Sequence, residues 1–155
     1  MVIHASEILK HFCNEIILST NNPEYYLFGY KCVSDQIKGI GPLAGITSAL
    51  REAKFSQCLV LACDMPEVKS ELFKVLMDKS EAYDAVVPVN NGFVEALAAI
   101  YNKSSVLKLE NMQQKKQYKM IEVLKNLNTN YVDVSDLVNL HPELFWNINY
   151  STDIY

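Results

Sequence analysis

The chain has 155 residues, half of them hydrophobic and 21% charged, with a net charge of −4. That length fits one domain, and a domain of this size buries about 68–70% of the surface its unfolded chain exposes, so it needs no staples. An acidic chain with a single arginine, Arg51, and no basic stripe argues against a nucleic-acid binder, and no apolar run is long enough to span a membrane.

Val2, Ala5, Ile8, Leu9 and Phe12 recur at three- and four-residue spacing and predict a helix over 2–13. Residues 15–20 predict a short strand that ends in polar Ser19-Thr20-Asn21-Asn22. Pro23 opens a loop or short helix through Tyr26. Lys31-Cys32-Val33 is a short strand leading to Asp35. Residues 39–45, GIGPLAG, predict a glycine-rich turn, and 46–55 a helix. Leu59-Val60-Leu61-Ala62-Cys63 reads as a buried parallel strand, since it is continuously apolar; Pro66 cannot join a ladder and stops it. A helix over 70–79, a strand over 85–89, and an apolar segment over 95–101 that starts extended follow. Helices over 106–111 and 118–127, a strand over 131–134 and a short extended stretch over 145–149 complete the order. Alternating helix and strand predict a single α/β domain over 1–155, with a doubly wound, Rossmann-like, mostly parallel sheet in three layers.

Four cysteines, Cys13, Cys32, Cys58 and Cys63, have no C-x-x-C spacing and no histidine at a zinc-like interval. They predict reduced, buried thiols, and the opening Met1-Val2-Ile3-His4 lacks the character of a secretory leader, so the expected compartment is the cytoplasm. His4, His11 and His141 are scattered and read as structural or surface positions.

Ligands of open α/β sheets sit beyond the carboxyl ends of the strands. Asp64 stands there, either as a carboxylate for Mg²⁺ or substrate, or as a cap for a helix starting near Val68. Gly41, Gly45 and the helix after them could cradle part of a nucleotide, or form an ordinary loop and helix start. Asn21 and Asp35 follow two strands and could read a base edge or a ribose hydroxyl, or serve as turn residues. Asn147 and Asn149, two apart, could face one cleft, or be polar edge residues around Ile148.

GIGPLAGITSAL, LVLACDMP, VEALAAIY and WNINYSTD, in this order and spacing, resemble the molybdenum cofactor guanylyltransferase family, MobA type, within the nucleotidyltransferases of Rossmann-like fold. The resemblance runs from about Met1 to Asp153. The paired G-P-L-A-G and D-x-P mark the wider group, and the closing N-I-N narrows it to the molybdenum cofactor branch. It implies transfer of GMP from Mg-GTP to the phosphate of molybdopterin, with pyrophosphate released. It further implies that Asn21 and Asp35 contact the guanine nucleotide, with Gly41, Leu43 and Gly45 in the nucleotide-side loop. Asp64 matches the magnesium ligand, and Asn147 and Asn149 the cofactor side. GTP and molybdopterin are the implied small-molecule partners, with a molybdoenzyme or a cofactor-delivery protein beyond them.

The family opens with a strand and a loop of the form G-G-x-S-x-R-M-G-x-D-K, which this sequence does not contain. Ala96 also stands where the family has proline. The expectation is a domain short of its first, mid-sheet strand and of the loop whose lysine and arginine bind phosphates. The alternatives are a cytidylyl- or sugar-phosphate nucleotidyltransferase relative, or a nucleotide-binding remnant without catalysis.

Overall fold

A computed structural model of the chain describes residues 1–148. Helix α1 (Val2–Lys10) is followed by strand β1 (Ile17–Ser19), a 3₁₀ turn (Pro23–Phe28) and β2 (Lys31–Val33). Then come α2 (Pro42–Glu52), β3 (Gln57–Leu61), α3 (Ser70–Met77), β4 (Ala85–Asn90), β5 (Phe93–Val94) and β6 (Ala98–Asn102). A 3₁₀ turn (Lys103–Ser105), α4 (Val106–Gln114), α5 (Met120–Asn126), β7 (Thr129–Asp133) and α6 (Ser135–Leu140) complete it.

β1 and β2 form a parallel pair. A separate sheet runs β3-β6-β4-β5, with β7 parallel to β4 on its other side. β6 is antiparallel to both β3 and β4, so β3, β4 and β7 run one way and β5 and β6 the other. The alternation of each strand sorts its side chains into two cores. Ala85, Val87, Ala99 and Tyr101 face one layer with Leu43 and Leu50 of α2. Val86, Ala98 and Ile100 face the other with Leu72, Phe73 and Leu76 of α3. Helices on both faces make the three layers expected from the sequence. The expected buried thiols are instead half-buried at Cys13, Cys32 and Cys58 and exposed at Cys63; desolvation pushes the Cys58 thiol up to about 11 and raises those of Cys13 and Cys63.

The structure corrects several local expectations. α2 begins at Pro42, not at Ile46: Gly41 supplies a φ of +76° before the helix, and Pro42, with its φ preset, opens it. Part of the supposed glycine turn is therefore the first helical turn. The 59–63 run is not a fully buried parallel strand. β3 is half-buried, its hydrogen-bonded partner β6 is antiparallel, and its other edge is open among the described residues. The hairpin of β4 and β5 turns on Asn91-Gly92, both with positive φ, a signal the periodicity reading passed over. α6 is a further element beyond the expected ones: Asp133 Oδ1 accepts the Ser135 N–H at 2.9 Å just ahead of it, with Val134 in the cap position. Of the expected extended stretch over 145–149, the described part is not a strand, and Asn149 lies outside the described residues.

Candidate active site at the carboxyl ends of the strands

The ends of β1 and β2 are tied by their own polar residues. The Asn21 amide donates to Asp35 Oδ2 at 2.9 Å, and the Asp35 N–H donates to Asn21 Oδ1 at 3.1 Å. Both side chains are thereby fixed at the rim of the sheet. The start of α2 comes close to them. A Cβ on Gly45 would stand 2.6 Å from Ser19 Oγ and 3.6 Å from Asp35 Oδ1, so only glycine admits this approach without movement. Leu43 is fully buried in the core, and its carbonyl accepts the Thr47 hydroxyl at 2.7 Å. What Leu43 can offer a ligand is its backbone N–H in the first turn of α2, where the helix favours anions.

Beyond β3 the chain turns sharply. Ala62 N–H donates to the Leu97 carbonyl at 2.8 Å, which carries the pairing with the β6 side one residue past the strand. Buried Met65 and a hydrogen bond between His4 Nε2 and the Pro66 carbonyl, at 2.6 Å, hold the turn. Asp64 is half-exposed within it, and among the described residues its carboxylate makes no hydrogen bond or ion pair. The helix-cap reading is overturned: α3 starts at Ser70 with Lys69 in the cap position, well past Asp64.

The Ile148 N–H donates to the Asp64 carbonyl at 2.8 Å. This long-range bond brings exposed Asn147 to the same turn, which sequence spacing could not show. A hollow of about 440 Å³ is bordered by Thr20, Pro42, Gly45, Ala62 and Cys63. Asn21 follows Thr20 and Asp64 follows Cys63, so both candidate groups adjoin residues that border this hollow, although neither Asn21, Asp35 nor Asp64 lines it. Glu95, assigned no role from sequence, is a half-buried carboxyl raised by desolvation; its signal was a lone acid inside an apolar segment. Among the described residues no group of three or more His, Cys, Asp or Glu could enclose a metal ion.

A sequence profile described as a MobA-like NTP transferase domain matches residues 1–130. The chain belongs to this nucleotidyltransferase family. It is 35% identical over 157 aligned positions to a probable molybdenum cofactor guanylyltransferase of Pelotomaculum thermopropionicum, covering 99% of the chain and 77% of that protein. A protein of the same description from Carboxydothermus hydrogenoformans is 30% identical over 155 positions, covering 99% and 79%. Among solved structures, the molybdopterin-guanine dinucleotide biosynthesis protein A of Archaeoglobus fulgidus superposes with a TM-score of 0.75 at 29% identity, covering 97% of this chain and 80% of that one. A cytidylyltransferase of Thermus thermophilus, acting on 2-C-methyl-D-erythritol 4-phosphate by its description, shares the fold at a TM-score of 0.69 and 12% identity, covering 98% and 84%. The family membership makes the three-layer α/β fold that of a nucleotidyltransferase.

Proposed function

We propose that this domain transfers GMP from Mg-GTP to the phosphate of molybdopterin. A phosphate oxygen of molybdopterin attacks the α-phosphorus of GTP and forms a new P–O–P link. The bond from that phosphorus to the oxygen bridging to the β-phosphate breaks, and its electron pair leaves with pyrophosphate. No nucleophilic side chain is required; in-line transfer needs positioning and charge neutralisation.

The supporting observation is Asp64, an unengaged carboxylate at a strand end in a family of nucleotidyltransferases. Mg²⁺ is commonly held by one or two carboxylates, with substrate phosphates and water in its other positions. Asp64 would hold the ion, which when bound neutralises charge on the phosphates. The other roles are assigned on the family resemblance. Asn21 and Asp35 present fixed amide and carboxylate groups to the guanine nucleotide. Gly41, Leu43 and Gly45 bring the first N–H groups of α2 towards a phosphate. Asn147 and Asn149 serve the cofactor side. The expected compartment is the cytoplasm, and the product passes to a molybdoenzyme or a delivery protein.

The test is transfer of label from α-labelled GTP to molybdopterin, with the domain joined to the family's glycine-rich strand and loop. Asp64→Asn should lower the rate about a hundredfold or more at saturating Mg²⁺. An unchanged rate removes Asp64 from the site. The 155 residues without that loop should turn GTP over weakly, and robust turnover would refute the assignment of phosphate binding to the loop. Competition should favour GTP over CTP and UTP; equal competition by CTP would point to the cytidylyl relative.

A further inference from the structure

The turn after β3 is held through its carbonyls by donors from elsewhere in the chain. The Asp64 carbonyl accepts the Ile148 N–H at 2.8 Å, and the Pro66 carbonyl accepts His4 Nε2 at 2.6 Å. Within the turn itself the Met65 N–H reaches back to the Ala62 carbonyl at 3.3 Å, longer than most such bonds. Pro66 has no N–H with which to add a second. Among the described residues the Asp64 carboxylate makes no hydrogen bond or ion pair, so the backbone of the turn decides where it stands.

His4 stands on an anchored element. Val2 and Ala5 of α1 are buried. Ile8, Leu9 and Phe12 pack against the core that also holds Met65 and Val68, on either side of Pro66. His4 itself is exposed and carries little of that packing. A carbonyl can only accept, so Nε2 carries the proton in the bond to Pro66. Among the described residues no other side chain bonds to the backbone of residues 62–66. The imidazole therefore ties α1 to the strand end that bears Asp64.

We infer that His4 is a positioning residue for Asp64: its Nε2–H, bonded to the Pro66 carbonyl, holds the turn where the Asp64 carboxylate can take a divalent ion. This role depends on Asp64 being the magnesium ligand. A carboxylate on a turn that is free to shift must be ordered when the ion binds, and that ordering weakens binding. The bond to Pro66 orders the turn beforehand. It does so without placing the imidazole on the metal, so what matters at position 4 is an N–H donor of the right reach, not a ring.

The experiment titrates the full, isotope-labelled chain with Mn²⁺ alone, whose unpaired electrons broaden the amide signals of residues beside the bound ion. In the parent, Mn²⁺ should broaden Asp64 and Met65, and Asp64→Asn should abolish this. His4→Ala should cut the broadening at equal Mn²⁺ by about fivefold, the worth of one hydrogen bond. Its Tm should stay within about 3 °C of the parent, because the side chain is exposed. His4→Phe, which keeps a ring and loses the donor, should match His4→Ala. His4→Gln, which restores an N–H at the same reach and is a poor ligand for Mn²⁺, should recover most of the broadening. Full broadening in His4→Ala or His4→Phe overturns the positioning role and leaves Asp64 as the ligand. Failure of His4→Gln to recover it also overturns the role, since the imidazole would then be a metal ligand itself. Broadening that is absent from the parent, or unchanged in Asp64→Asn, removes the ligand and the role of His4 together.

Discussion

Gly45 sets how near α2 comes to β1, and it does so against its own helix propensity. Glycine in a helix costs about 1 kcal/mol relative to alanine. Alanine there meets the Ser19 hydroxyl at 2.6 Å, an atom that can rotate away. Gly45→Ala alone should therefore change stability by less than about 0.5 kcal/mol, the helix gain offset by the displaced hydroxyl. In a Ser19→Ala background the same change should stabilise by about 1 kcal/mol. Urea melts of the four forms measure the coupling, and its absence would mean that Ser19 does not limit the approach. Asp35 is a different kind of residue. It is half-exposed and bonded to Asn21 across two strand ends. Asp35→Ala should alter stability within about 0.5 kcal/mol but weaken GTP binding about tenfold, read by calorimetry. Equal loss in both would make the pair structural only.

At the scale of elements, Asp84 joins four pieces of the fold at the start of β4. Its Oδ2 accepts Lys108 Nζ of α4 at 2.7 Å and the Asn128 N–H, just before β7, at 2.8 Å. Its carbonyl accepts the Asn102 N–H, which ends β6, at 2.8 Å. Burial by itself would raise this carboxyl, but the Lys108 hydrogen bond, the Asn128 N–H and the Lys108 charge together bring it below the usual aspartate value. A folded-state pKa below the unfolded one stabilises the fold above about pH 4 and loses that contribution as pH falls through the folded value. Asp84→Asn should cost about 1–3 kcal/mol at pH 7 and flatten the acid limb of the stability curve. A variant with the parent's acid limb would show that Asp84 does not carry it. α2 and α4 are joined likewise by buried Gln113, whose Nε2 donates to Thr47 Oγ1 at 3.0 Å. This clamp keeps the start of α2 at the rim.

At the scale of the molecule, two cores share one sheet, and they differ in how closed they are. Phe73 is fully buried beneath β4 and β6, with the Phe12 ring 6.2 Å away. Phe73→Ala should cost about 3–5 kcal/mol. Leu9 is half-buried and borders two hollows, so Leu9→Ala should cost only about 1–2 kcal/mol. Denaturant midpoints that reverse this order would mean that Leu9 packs in a closed core in solution.

Fold class was legible because apolar periodicity reports which face of each element is buried. The sorting of Val86 from Val87 to opposite cores follows from the two-residue period alone. The site was partly legible. Asp64, Asn21 and Asp35 could be read as polar residues just past apolar runs, because ligands gather at strand ends. The direction of β6 was not, since antiparallel and parallel neighbours want the same apolar residues. Nor was the start of α2, where a glycine and a proline serve a turn and a helix entry equally well.

The sequence by itself determined the three layers, the alternating order and the family, since these rest on local pattern and on motifs in fixed order. Tertiary structure alone decided that Asn21 and Asp35 bond to each other, that Ile148 reaches Asp64, and that Leu43 turns into the core. It alone brought Ile17 of β1 and Leu59 of β3 to line one cavity. Each of these joins residues far apart in the chain, and a contact of that kind exists only once packing has fixed where the elements lie.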